Sequence, residues 1–574
     1  MKCTTSLVLS LALLLPLTNS LSAQSARREL SAEAKQQIEA AVPTEAAAAP
    51  RAPRKLLIFD RNVDYGGHGS IPYANHAFTV MGERTGAFST LVSDDPTVFE
   101  KQHLAQFDAV CLNNTVGNLF TDPVLRQNLL EFVLAGGGLL GIHGTTVAFT
   151  DFKNGASETW PEFGVMLGGR GASHLAQDER VFIRLDDPTH PLNAPFNEQG
   201  FEHVGEFFRV SGPYSRDRVH VLMSIDTDKT ALPPQGKMRE DNDYALAWTR
   251  AYGRGRVAYC TIGHSPQDFL DPKILQFYLR AIQFTLGDIA GSTTPSNRLT
   301  DAVRAREAAG WRLGVAMWGL NTFTLMEGVE KTRQLGLSSV CGLSFQKVSA
   351  EIPQFCDAEL TDAQLETIRL QMDAAGVSMP VFFYATIPSD EAGCRKVFEF
   401  GRKLGIETFI SEPPPEALDV IERFCDEYDI QLAIHNHGPE QSPIYWRPEG
   451  VLEVCQGRSK RIGACPDTGY WIRAGIDPIE GVRKLGDRLI TIQAHDLDQC
   501  TPDGHDVPWG TGKAQFAELI REMRRLGITP TQFDLEYSYK FEDNLAESAA
   551  CIEYFDKVIA EPAPVLSSPA APQK

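Results

Sequence analysis

Short apolar runs recur along the chain at regular intervals. In the first half they are Lys55 to Asp60 (KLLIFD), Ser89 to Asp94 (STLVSD), Ala109 to Asn114 (AVCLNN) and Leu139 to Gly144 (LLGIHG). They are brief and continuous rather than alternating, as strands buried on both faces are. Between the third and fourth runs, Asp122 can cap a helix that has Pro123 at its first position, and Gly136, Gly137 and Gly138 end it. Strands alternating with helices predict a parallel, doubly wound α/β sheet. The later runs VFIRL, RVHVLMSID and GRVAYCTIG extend it.

The second half repeats the same unit more regularly. Eight strand candidates begin at Arg312 (RLGVAMW), Ser338 (SSVCGLS), Met379 (MPVFFYA), Glu407 (ETFISE), Gln431 (QLAIHNHG), Arg461 (RIGACPDTG), Leu489 (LITIQAHD) and Thr531 (TQFDLEY). Amphipathic helices separate them. In one, Thr361 and Gln364 form a capping box, Leu365, Ile368, Met372 and Ala375 share a face, and Gly376 stops the helix. Eight βα units over about 250 residues predict a (β/α)8 TIM barrel.

Composition sets the boundaries. A chain of 574 residues exceeds one hydrophobic core and implies at least two domains. Residues 1–23 have the anatomy of a signal peptide: Lys2, the apolar stretch Leu7 to Leu17, then small residues at Ser20, Ser22 and Ala23. They predict a secreted or periplasmic protein without a membrane span after cleavage. Soft segments at 24–53, 289–308 and 561–574 read as two linkers and a disordered tail, leaving a domain at 54–288 and a barrel at 309–560. The cysteines lie singly, several within apolar runs (Cys111, Cys260, Cys341, Cys465), which predicts buried thiols rather than a disulfide framework. A formal net charge of −20 speaks against nucleic acid as a partner, because such binding rests on neutralising phosphates.

In a TIM barrel the active site lies at the carboxyl ends of the strands. Those ends carry Glu412, His435 with His437, Asp467, His495 with Asp496, and Glu536. Each such group is costly to bury without a partner. A divalent cation would serve them all, since carboxylates and imidazole suit Mn, Mg, Co or Zn.

The CPDTG segment with Asp467, the IQAHDLD segment with His495, the following VPWGTGKAQF with Gly510 and Gly512, the closing DLEYS with Glu536, and Glu412 on strand four resemble the xylose-isomerase-like family of sugar (phosphate) isomerases and epimerases. The resemblance implies one divalent metal bound by Glu412, Asp467, His495 and Glu536. It implies further that Glu412 and Glu536 act as the acid/base pair through an enediolate, with His435 and His437 bonding sugar hydroxyls or polarising the carbonyl. Many epimerases have a histidine three residues after the aspartate; here that position is Tyr470, a substrate-binding candidate. The family's DNA-repair branch uses additional metal histidines that have no convincing counterpart here.

The first half, through GGGLLGIHGTT, WPEFGVMLGGRGASH, DDPTHPLNAPF and ALAWTRAYGRGRVAYCTIGHS, resembles the ThuA-like (trehalose-utilisation) domain, a flavodoxin-like relative of class I glutamine amidotransferases. Amidotransferases place a cysteine at the turn after a central strand; Gly141-Ile142-His143-Gly144 offers a histidine instead. Candidate site residues in this half are His68, His143, His174, Glu206 and His264, at strand ends or in glycine-rich loops. They could hold a metal or grip a sugar.

The expectation is therefore an exported carbohydrate-active enzyme, a metal-dependent sugar isomerase or epimerase whose partner is a small-molecule carbohydrate. The alternatives are a lyase or hydratase acting on 3-keto sugars or keto-glycosides by β-elimination, and a non-catalytic carbohydrate-binding protein. The sugar, the metal and any homo-oligomer stay open at the level of sequence.

Overall fold

The computed structural model describes residues 29–153, 155–233 and 239–562. Residues 1–23, read from the sequence as a signal peptide, and residues 563–574 of the tail lie outside them. The first half is built on strands β1 (Lys55–Phe59), β2 (Ser89–Ser93), β3 (Ala109–Asn113), β4 (Gly138–Ile142), β5 (Arg170–His174), β6 (Glu179–Leu185), β7 (Phe201–Gly205), β8 (Phe208–Ser211), β9 (His220–Ile225), β10 (Ala245–Tyr252) and β11 (Gly255–Cys260). Nine of them form one sheet in the order 2-1-3-4-11-10-9-6-7, and β5 pairs with β8 in a separate ribbon. β2, β1, β3, β4 and β11 run parallel. The extension through β10, β9, β6 and β7 is antiparallel, so the sheet is mixed rather than parallel throughout. The cause is local: only Gly253 and Arg254 separate β10 from β11, a turn that permits a hairpin but no crossover.

The second half has all eight barrel strands: β12 (Leu313–Ala316), β13 (Ser339–Leu343), β14 (Ser378–Phe383), β15 (Thr408–Ser411), β16 (Gln431–His435), β17 (Ile462–Cys465), β18 (Ile492–Ala494) and β19 (Phe533–Leu535). They are ordered 17-16-15-14-13-12-19-18. The seam between β17 and β18 has no continuous ladder and is bridged at Ala464–Leu489 and Asp467–Gln493. Cys341, Val381, Ile410, Ala433, Cys465 and Ile490 fill the lumen, so the barrel is a packed core and not a pore. The ten cysteines described are free thiols, nine of them buried.

Two segments expected to be linkers carry structure. Within 24–53, Ala32–Ala41 is helical, Ser31 caps it by accepting from Ala34 N at 3.1 Å, and Ile38 is fully buried in the first domain's core. An alanine-rich composition masked one apolar face, Ala34, Ile38 and Val42 at four-residue spacing. Within 289–308, Asp301–Ala308 is helical, and the Arg306 guanidinium grips both Asp556 oxygens at 2.6 Å, which ties the helix to the barrel's last helix. No described helix is long and apolar enough to cross a membrane.

The first domain meets the barrel at the amino-terminal ends of its strands. Gly376 and Gly405 end barrel helices in the left-handed conformation, φ 63° and 73°. A Cβ on either would stand 2.8 Å from Asp217 O or 2.7 Å from Gly253 Cα. Each glycine therefore serves two ends, stopping a helix and letting the other domain's backbone close in. Around them Arg369 Nε donates to Glu162 Oε1 at 2.6 Å, Tyr252 donates to the same oxygen at 3.0 Å, and Arg250 pairs with Asp373. Glu162→Ala strands the buried Arg369 charge and is expected to cost about 3 kcal/mol. Scanning calorimetry should show a lowered transition that separates into two as the domains uncouple.

Candidate functional site

The barrel places its ionisable residues by one rule, at or just past the last residue of a strand. Glu412 follows β15, His435 ends β16 with His437 two residues on, Asp467 follows β17, His495 follows β18 and Glu536 follows β19. His435, Asp467, His495 and Glu536 are all buried.

Asp467 is the hub. Its Oδ1 accepts from Tyr470 N at 2.9 Å and caps the helix Thr468–Arg473. Its Oδ2 lies 3.5 Å from His495 Nε2 and 3.7 Å from His435 Nε2. His495 Nε2 is also 3.6 Å from Glu536 Oε1. His495 Nε2 and Glu536 Oε2 are buried without a hydrogen-bond partner. The ligand atoms of Asp467, His495 and Glu536 all lie within 4.8 Å of one another. Donors bound about 2.1 Å from one ion at the tetrahedral angle sit about 3.4 Å apart. The observed separations match that spacing and exceed the 2.7–2.9 Å typical of a charge-assisted hydrogen bond.

Glu412 stands beside that trio. Its Oε1 accepts from His435 Nδ1 at 3.0 Å and from His437 Nδ1, so it groups with those two histidines and not with the trio. His435 stands between the groups, its Nδ1 on Glu412 and its Nε2 toward Asp467. His435 thus links the two groups, its Nε2 lying 3.7 Å from Asp467 Oδ2. Tyr470 packs its ring 5.0 Å from that of His437, at the more exposed edge of the site.

Charge compensation follows this wiring. Burial opposes ionisation of Glu412, yet hydrogen bonds from His435 and His437 hold its carboxyl down at about 2. Burial likewise disfavours the His435 cation, but Asp467 and Glu412 push it up to about 9. Glu536, deeply buried and near Asp467, is raised despite the pull of His495.

Residues that sequence reasoning passed over hold these groups in place. Asp506 Oδ1 accepts from His495 Nδ1 at 2.7 Å, and Asn436 Oδ1 accepts from Asp467 N at 3.0 Å. Thr468 accepts from His495 N at 2.7 Å and so pins the open β17–β18 seam. A histidine with one nitrogen committed inward implies an acceptor on the other, but nothing marks Asp506 in a loop as that acceptor. Asp496 turns away and accepts from Gly510, Gly512 and Ala514 N at 2.8, 3.0 and 2.9 Å. Asp534 lies fully buried beside Gln532.

In the first domain the five candidates come together. His68 lies in the loop after β1, His143 directly follows β4, His264 follows β11, His174 ends β5 and Glu206 joins β7 to β8. Glu206 Oε1 is 3.4 Å from His143 Nε2, and its Oε2 is 3.2 Å from His174 Nδ1 and 3.8 Å from His264 Nε2. Burial and the neighbouring imidazoles bring His68 down to about 2.

Comparison with known proteins agrees with this architecture. Residues 55–285 match the family model described as trehalose utilisation, and residues 415–555 match the xylose isomerase-like TIM barrel. The chain therefore joins a ThuA-like domain to a xylose-isomerase-like barrel. Solved structures similar to parts of it include a protein from Parabacteroides distasonis ATCC 8503 (29% identity, 43% of this chain and 99% of that one, TM-score 0.37). Others are a D-tagatose 3-epimerase-like protein (18%, 43% and 97%, 0.34) and a D-psicose 3-epimerase from Clostridium cellulolyticum H10 (10%, 44% and 99%, 0.35). No curated protein matches the sequence.

Asp496→Ala removes the acceptor for three backbone N–H groups of the 508–514 loop. It is expected to cost about 1–3 kcal/mol and to speed hydrogen exchange at Gly510, Gly512 and Ala514, measurable by mass spectrometry.

Proposed function

We propose that the protein is an exported sugar isomerase or epimerase that depends on one divalent metal in its barrel. The observation that carries this reading is the convergence of Asp467 Oδ2, His495 Nε2 and Glu536, with two of their buried polar atoms lacking any partner. Asp467, His495 and Glu536 would hold the ion, with His435 Nε2 as the fourth donor. Two imidazoles and two carboxylates suit Mn, Co or Zn. When bound, the ion would polarise the carbonyl and neighbouring hydroxyl oxygens of a sugar.

The remaining chemistry falls to the chain's own side chains. Glu536, its affinity for a proton raised by burial, is suited to take the proton from the carbon next to the carbonyl and leave an enediolate. Glu412 orients His437 through Nδ1, and the two together are the group assigned to return the proton from the other side. Tyr470, beside His437, would bond a sugar hydroxyl. The match of residues 415–555 to the xylose isomerase-like family supports the same assignment. The signal-like residues 1–23 support export.

Asp467→Asn and Glu536→Gln are each expected to lower bound metal by one equivalent by elemental analysis. They should also slow deuterium uptake from D2O into a keto-sugar panel by about 10²–10⁴-fold. Deuterium in recovered sugar supports the isomerase or epimerase; a β-elimination product moves the assignment to a lyase; neither metal nor exchange overturns catalysis and leaves a binding protein. Asp506→Asn, which removes the anionic anchor of His495, should weaken metal binding by about 10–100-fold in a competition assay with a chelating dye.

A further inference from the structure

The first domain's histidine cluster has no part in the barrel chemistry, and its geometry is that of a second ligand shell. The rings of His68, His143 and His264 form a near-equilateral triangle, with centroids 5.0, 5.1 and 5.3 Å apart. Glu206 is the fourth member, and one donor atom from each of these four residues lies within 4.8 Å of the others.

His143 is the decisive residue. It is fully buried, and its Nδ1 lies 2.8 Å from the Thr261 carbonyl oxygen, which can only accept. Nδ1 therefore carries a proton, and Nε2 faces the cluster, where it is buried with no hydrogen-bond partner. His68 Nδ1 is also buried and unpartnered. A single carboxylate cannot satisfy three imidazoles, and its contacts with His143 and His264, at 3.4 and 3.8 Å, are too long for charge-assisted hydrogen bonds. They are near the spacing of about 3.4 Å that donors around one small ion adopt.

The backbone is arranged to hold this geometry. His143 takes a left-handed φ of 43° at the sharp turn after β4, the place where amidotransferases carry their nucleophile. A non-glycine residue there costs of order 1–3 kcal/mol, offset if its side chain is needed at that point. The next residue, Gly144, leaves room for His68: a Cβ there would stand 3.1 Å from His68 Cε1.

We propose that the first domain binds a divalent transition metal through His68, His143, Glu206 and His264, separately from the barrel. Three imidazoles and one carboxylate select Zn, Co, Ni or Cu over Mg or Ca. His174 stands at the exposed edge of the cluster, its Nδ1 on Glu206 Oε2 and its side chain 37% exposed, where an incoming ligand would pass.

The test uses the full chain with Asp467→Asn and His495→Ala, so that barrel binding is removed and failure of the barrel reading does not decide the outcome. Titrated with Co2+, this protein is expected to bind one equivalent, with visible absorption that excess Mg2+ does not displace. Adding His143→Ala and His264→Ala should abolish that equivalent, and the milder Glu206→Gln should weaken it, in proteins whose near-ultraviolet circular dichroism is unchanged. No Co2+ bound by the barrel variant, binding that survives the loss of His143 and His264, or displacement by Mg2+ would each overturn the proposal.

Discussion

The barrel site depends on how Asp467 divides its two oxygens. Oδ1 is committed to the first turn of the following helix, while Oδ2 faces the imidazoles of His435 and His495. A carboxylate this deeply buried is stable only where positive or polarisable groups surround it. Here the helix amino terminus supplies part of that field and the two histidines supply the rest. The helix start, the β17 strand end and the donor set are thus one constraint. That constraint falls at the one seam of the barrel where the ladder is broken: the Thr468–His495 pair crosses the seam, and Asn436 ties Asp467 back to the end of β16.

The placement of the other domain follows from the same geometry. A TIM barrel has a stability end and a chemistry end, and the ThuA-like domain docks on the former through Glu162, Arg250 and the glycines Gly376 and Gly405. The carboxyl ends, with Glu412 to Glu536, stay clear of that interface. Both domains put their polar clusters just beyond strand ends, because a strand's last residue is where backbone direction is fixed by the sheet while the side chain is free of the core. The interface between them is accordingly built from buried ion pairs and close backbone contact rather than from shared site residues.

Much of this was legible in the residue pattern, for a physical reason. Buried parallel strands demand short apolar runs, so all eight barrel strands and the capped helix at Thr361 announced themselves. Once the strands are fixed, Asp467, His495 and Glu536 follow by position. The grouping of Glu412 with His435 and His437 was not legible. Glu412 and His435 sit at adjacent strand ends, and side-chain rotamers decide which of their atoms meet. Asp506 was hidden because a loop acceptor has no periodicity. The helix at Ala32–Ala41 was hidden because one isoleucine among alanines and glutamines hardly moves the composition.

The two clusters differ in how their imidazoles are anchored, and this sets the chemistry each can support. In the barrel, His435 and His495 each rest Nδ1 on a carboxylate, Glu412 and Asp506. An anionic anchor raises imidazole basicity, and with Asp467 and Glu536 it leaves the barrel cluster rich in negative charge. In the ThuA-like domain His143 rests on a backbone carbonyl, which fixes the tautomer without adding charge. Glu206 is then the one anion among three mutually close rings, so the set is softer and less negative.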